Sequence, residues 1–314
     1  MLLIDRLGRR LKLQDLHVLM TVMQTGGMGK AAQRLNLTQP AISRSIAQLE
    51  HVFGVRLLDR DRHGVRPTEY GRALLDCGVA VFDDLLQGVK NIEFLADPAA
   101  GNVRIGCNPF LAASFGSAVV DRLSRRYPRI VFHALTTPSE ILHRALLERD
   151  VDLLIAQKHG PFTDEQFEFE TLYDDAYVVL SGAKNPWARR RKIELAELVN
   201  EAWVLPPPEN APGSIAAQAF DNIGLEYPRA TLFTPSFEMR ISLLATGRYL
   251  TILLASVLRF ATRRAELKIL PVNLPLTHTP IGIVTLKNRT LSPVARLFIE
   301  HAREVAKPLA RRRR

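Results

Sequence analysis

The stretch Thr38-Gln-Pro-Ala-Ile-Ser-Arg-Ser-Ile-Ala-Gln-Leu-Glu-His-Val-Phe-Gly54 decides the fold. Thr38 is a residue type that caps helix N-termini. Pro40 falls in a first turn, where its missing N–H leaves no bond unmade, and Gly54 is a natural stop. Ile42, Ile46, Leu49 and Phe53 recur at spacing 4-3-4, which predicts the buried face of a helix. Pro40, Ser43, Arg44 and Ala47 take the opposite face. Small residues, a hydroxyl and a guanidinium on an exposed face suit a helix that enters a major groove closely and hydrogen-bonds to base edges.

Upstream, Leu13, Leu16, Met20 and Met23 repeat at spacing 3-4-3, which predicts a first helix with these residues buried. Gly26 and Gly27 break it. Met28 to Leu35 reads as a short second helix with Ala31, Ala32 and Leu35 as contacts, and Asn36-Leu37 as the turn. Downstream, Val55 to Arg60 and Val65 to Pro67 flank Asp61-Arg-His-Gly64, a hairpin carrying Arg60, Arg62 and Arg66. Three helices and a basic hairpin describe a winged helix-turn-helix over residues 12–69. The charge distribution agrees. Of the net +10, residues 1–72 hold 12 Lys+Arg against 6 Asp+Glu, and residues 73–310 hold 26 of each. Arg311 to Arg314 supply the rest. A basic head on a neutral body meets polyanions with one end.

At these residues the sequence resembles the LysR-type transcriptional regulators. The resemblance rests on Ala31-Ala-Gln-Arg-Leu35, Thr38-Gln-Pro-Ala-Ile-Ser-Arg44, Ile46-Ala-Gln-Leu-Glu50, Phe53-Gly-Val-Arg-Leu-Leu-Asp-Arg60 and Pro67-Thr-Glu-Tyr-Gly71. Two positions depart from the family pattern. Gly27 stands where Ser is frequent, which loosens the cap of the second helix, and Leu58 stands where Phe is frequent. The resemblance implies that Gln39, Pro40, Ser43 and Arg44 read bases in double-stranded DNA. Thr38 and Arg60 would hold phosphates, with Lys30 and Arg34 as further contacts.

Leu75, Gly78, Phe82, Leu85, Val89, Ile92 and Ala96 follow a 3-4 heptad, predicting one linker helix over 70–97 with a seam for a partner helix. The resemblance implies that this helix pairs two heads, in a homodimer or homotetramer.

Beyond Asp97-Pro-Ala-Ala-Gly101 the pattern alternates strand and helix. Strands are expected at 103–106, 130–135, 151–156, 177–180, 203–205, 230–233, 250–253 and 281–286. Helices are expected at 112–126, 139–148 and 293–307. Successive β-α-β units imply parallel pairing, and the length implies two α/β lobes with a cleft. The resemblance names this part, residues 101–306, as a periplasmic-binding-protein-like effector domain. Lobe I covers about 101–172 and 273–306, lobe II about 173–272. Open α/β sheets take ligands beyond strand C-termini, where helix N–H groups are free. Asn108, Ser139, Pro206 and Ser236 stand at such places and are the expected contacts of a small effector.

Other classes find little support. Two cysteines, Cys77 and Cys107, support neither a disulfide framework nor a metal site. No dinucleotide or phosphate loop, zinc-protease or nucleophile-elbow pattern occurs. The expectation is a ligand-responsive transcription regulator that needs no cofactor and performs no catalysis, with RNA polymerase as a candidate partner. No signal peptide or membrane-length apolar run is evident, so the expected compartment is the cytoplasm. The alternative is a cytoplasmic small-molecule binding protein without a DNA function. The run Arg189-Arg-Arg-Lys192 is read as a solvated helix start.

Overall fold

The computed structural model describes residues 10–61, 64–158, 162, 165–209, 211–260, 266–274 and 278–310, without the side chains at 60, 61, 211 and 212. Arg62, the Arg60 side chain and the run Arg311 to Arg314 thus lie outside the described residues. The chain forms two units, residues 1–87 and 88–314.

The first unit holds α1 (Leu13–Thr25), α2 (Met28–Leu35), α3 (Gln39–Phe53), the strands β1 (Leu58–Asp61) and β2 (Gly64–Pro67), and the start of α4 (Glu69–Ala96). Its core joins Val18, Leu19 and Val22 of α1, Ala31 and Ala32 of α2, and Ile42, Ile46 and Leu49 of α3, closed by Leu57 and Leu58. Of the expected core residues, Met20 and Met23 are only half-buried and two are exposed. Phe53, in the last turn of α3, is 38% exposed, and Leu13 is 48% exposed. The first helix is apolar on two sides, so spacing alone selected the wrong stripe. Leu16, Val18, Leu19 and Val22 are buried, while Leu16 and Met20 approach Gly78 of α4, where an added Cβ would meet them at 3.1–3.3 Å.

Local chemistry sets the ends. Asn36 turns the chain between α2 and α3 at φ 52°, its N–H reaching the carbonyls of Ala32 and Gln33. Gly54 stops α3 at φ 69°, a conformation Gly adopts without steric cost. Gly27 precedes α2 without a side-chain cap, as its missing hydroxyl implies.

The second unit is α/β. The strands β3 (Ala100–Cys107), β4 (Arg129–Thr136) and β5 (Leu153–Gln157) pair in parallel. Between them run α5 (Ser117–Arg126) and α6 (Ser139–Leu147). The helix expected from 112 starts earlier, at Pro109, and passes through a π turn at Ala112–Gly116 before α5. There the Ser114 hydroxyl donates to the Phe110 carbonyl at 2.6 Å.

The strand expected at 177–180 is much longer. β6 (Phe167–Gly182) pairs along its first part with β11 (His278–Leu286), antiparallel, up to Ala176 opposite His278. From Tyr177 onward it pairs with β9 (Leu250–Leu254). From Leu180 it also pairs with β10 (Leu267–Ile269). β6 changes partner at 176/177, close to residue 172, near which the chain was expected to cross between lobes. These pairings are antiparallel, so the unit is mixed rather than wholly parallel. The short strands β7 (Val204–Leu205) and β8 (Leu232–Phe233) form a separate parallel pair. Lobe II adds α7 (Ala211–Asp221), α8 (Phe237–Ala245) and α9 (Ser256–Phe260), and α10 (Pro293–Ala310) closes the unit. Trp203 lies at the centre of lobe II, fully buried, its indole N–H donating to the Leu198 carbonyl at 2.7 Å.

Candidate functional site

In the first unit α3 exposes Gln39, Pro40, Arg44 and Ala47, and half-buries Ser43. The Thr38 hydroxyl accepts the Ala41 N–H at 3.4 Å, so its own capping bond aims the start of the helix. Lys30 and Arg34 are exposed on α2. Among the described residues no ion pair engages Lys30, Arg34 or Arg44. Their charges face solvent unneutralised, which suits an anionic partner.

Glu50, two turns beyond Ser43 on α3, fixes the hairpin. Its carboxylate accepts the Leu57 and Leu58 N–H groups at 2.8 and 3.3 Å. β1 and β2 then pair antiparallel with Arg60 opposite Val65 and Asp59 opposite Arg66. Thr68 ties the hairpin to α4. Its hydroxyl donates to the Arg56 carbonyl at 2.8 Å and accepts the Gly71 N–H at 3.0 Å. A Cβ on Gly71 would lie 2.1 Å from the Leu57 carbonyl oxygen, so glycine alone fits that approach.

In the second unit the four expected effector contacts take different local roles. Asn108 is buried, and its side-chain oxygen caps the helical turn at Pro109 by accepting the Leu111 N–H at 3.0 Å. The Ser236 hydroxyl caps α8 through the Met239 N–H at 3.2 Å. Ser139 opens α6 without a side-chain cap. Pro206 is buried and its carbonyl accepts the Tyr227 hydroxyl at 3.3 Å.

A residue that sequence reading missed stands out. Arg240 of α8 is 3% exposed. It lines a small pocket with Phe110, Tyr177, Ile252, Leu253 and Leu254, which joins the start of lobe I to the strands and helix of lobe II. None of the four expected contacts lines it. Asn108 nonetheless lies two residues before Phe110, and Ser236 opens the helix that carries Arg240. The guanidinium makes one long hydrogen bond, Nη1 to the Ile252 carbonyl at 3.4 Å, and its buried Nε has no partner among the described residues. Burial pulls its pKa down to about 10, against the opposing influence of Tyr177 and Tyr227, so it remains a cation at neutral pH. The signal was present in Phe237, Arg240 and Leu244, whose 3-4 spacing puts an arginine on a buried helical stripe.

Cys107 is no nucleophile candidate, because burial pushes its thiol up to about 12. Around the basic run 189–192, Arg190 pairs with Glu197 and Lys192 with Glu194, so local acids neutralise it in part. Among the described residues no group of His, Cys, Asp and Glu is placed to hold a metal, and no helix is long and apolar enough to cross a membrane.

Comparison with known proteins bears on both units. Residues 13–72 match the family described as bacterial regulatory helix-turn-helix protein, lysR family, and residues 96–307 match the LysR substrate binding domain. Among curated relatives, the HTH-type transcriptional regulator GbpR of Azospirillum brasilense is 24% identical, covering 98% of this chain and 90% of its own. The transcriptional dual regulator GltC of Bacillus subtilis is 27% identical over 92% of this chain and 96% of its own. Full-length OxyR from Pseudomonas aeruginosa shares the fold at a TM-score of 0.63 and 20% identity, covering 95% of this chain and 98% of its own. Full-length CbnR complexed with its target DNA does so at 0.55 and 19%, covering 94% and 100%. A capped helix with an exposed cation, a hairpin and a two-lobed α/β unit thus meet two family matches that together span most of the sequence: the chain belongs to the LysR family, as a ligand-responsive, DNA-binding regulator of transcription.

Proposed function

We propose that Gln39, Pro40, Ser43 and Arg44 read base edges in the major groove, that Thr38 and Arg60 hold phosphates, and that Lys30 and Arg34 add backbone contacts. The observation that carries this reading is the exposed, unneutralised face of α2 and α3. Two heads act together, in a homodimer or homotetramer. The support is the outer half of α4, where Leu85, Val89 and Ile92 are 48, 50 and 69% exposed along one heptad seam. A small effector enters the cleft between the lobes. Asn108, Ser139, Pro206 and Ser236 each follow a strand, the side on which open α/β sheets take ligands, and are proposed as its contacts. Effector binding shifts the arrangement of the paired heads and so their grip on the operator, in the cytoplasm beside RNA polymerase and without catalysis by this chain.

Selection of bound fragments from sheared genomic DNA tests the reading. The expected result is enrichment of a site with two related halves, their centres separated by about one or more helical turns. Recovery of no common sequence contradicts it.

A further inference from the structure

We propose that the effector is a small organic acid carrying a single carboxylate, and that Arg240 of α8 is the group that pairs with it. This rests on the reading of the second unit as an effector domain and names the chemistry of its ligand.

A guanidinium out of water is stable only when paired and hydrogen-bonded. Arg240 is buried, its Nε has no partner among the described residues, and its one hydrogen bond is long. Its neighbours Tyr177 and Tyr227 are not charged at neutral pH, because burial pushes both phenols up. Among the described residues the pocket lining therefore carries one positive charge and no acid to pair with it. A carboxylate matches that charge and the planar fork of the guanidinium, which offers two parallel N–H donors.

The remaining lining selects among anions. Phe110, Ile252, Leu253 and Leu254 present apolar surface, and Tyr177 adds a ring whose hydroxyl accepts the Gln157 side-chain N–H at 2.8 Å. A phosphate dianion would bring a second charge with no second cation in the lining. An acid with an apolar body satisfies both parts of the wall. The pocket has about 10 Å³ of free volume, room for about one water. Phe110 belongs to lobe I and Ile252 to lobe II, so the acid enters by parting them, which ties occupancy to the lobe movement that regulation requires.

The test uses the full-length protein in calorimetry and thermal-shift assays. The probes are acetate, hexanoate and benzoate, their uncharged amides, and inorganic phosphate. The expected result is saturable binding of at least one of these acids, no binding of its amide or of phosphate, and a loss of about tenfold to hundredfold in Arg240→Met. A second readout needs no ligand. Removing an unpaired buried charge in Arg240→Met is expected to raise the Tm of the ligand-free protein, whereas a structural arginine would lower it. The proposal is overturned if none of the three acids binds, if acid and amide bind alike, or if Arg240→Met lowers the ligand-free Tm. DNA binding by the same samples separates the two readings. Operator binding without acid binding sinks the carboxylate assignment alone, and acid binding lost in Arg240→Met without operator binding sinks the regulator reading alone.

Discussion

Arg44 leaves the exposed face of α3 one residue beyond Ser43, with the buried Ile42 and Ile46 on either side holding the helix in place. Under the proposed function, a guanidinium so placed reads a guanine edge through two N–H donors. Arg44→Ala is expected to weaken specific binding by about 1–3 kcal/mol and to relax the preference at one base position. Anisotropy titrations against single-base operator variants check this, and a uniform loss across all sequences would make Arg44 a phosphate contact. Gly71 gives a prediction about stability. Its approach to the Leu57 carbonyl leaves no room for a methyl group, so Gly71→Ala is expected to destabilise the head by about 1–3 kcal/mol. Chemical denaturation of the first unit measures it, and an unchanged midpoint contradicts it. The exposure of Arg44 was legible because the apolar stripe Ile42, Ile46 and Leu49 leaves the rest of α3 to solvent. Arg240 was harder to see, because its meaning lies in a buried Nε that has no partner among the described residues. Such an absence depends on what α8, β6 and β9 bring together from distant parts of the sequence.

At the scale of elements, Asp152 ties three segments of the second unit. Its carboxylate accepts the Arg104 N–H at 2.8 Å and pairs with Arg104, Lys90 and Arg289 at 3.0, 3.4 and 3.3 Å. Lys90 belongs to the outer part of α4, so this anchor fixes the end of the linker helix to β3 and β5. Burial opposes the charge on Asp152, but the hydrogen bonds from Arg104 and the positive charges of Lys90 and Arg104 outweigh it and hold the carboxyl below the usual aspartate range. A depressed folded-state pKa contributes stability that is full above the unfolded value, about 3.9, and is lost as pH falls through the folded value. Asp152→Asn is expected to cost about 3–5 kcal/mol at neutral pH, because it leaves buried cations unpaired. It is also expected to flatten the acid limb of the stability curve. A variant with the parent's acid limb would contradict this role.

The parallel strands β3, β4 and β5 were legible as elements because each is a short apolar run between turn signals. The extent of β6 was not. Its first part alternates partly exposed acids with apolar residues, and only pairing with β11 makes a strand of it. The π turn at Ala112–Gly116 was equally silent, since Ala-Ala-Ser-Phe-Gly carries no local signal that separates it from an α-helix.

For the molecule as a whole, the uncovered seam on α4 and the basic head lead to one account, in which paired heads grip DNA. The heptad was legible from spacing, and Leu85, Val89 and Ile92 lie exposed along it; the proposed pairing places a partner helix there. Ile92→Glu is expected to convert the major species in sedimentation to the monomer and to weaken operator binding, whereas an unchanged oligomer would place the interface elsewhere. The charge split was also legible, because Lys and Arg can be counted without a structure.

The most direct measurement is the salt dependence of binding to a genomic site recovered with the full-length protein. Neutralising several phosphates on two half-sites predicts a specific affinity that falls on the order of 10³-fold or more between about 50 and 200 mM salt, with the preference for the site over random DNA retained. A flat response to salt, or equal binding to every sequence, would contradict the account.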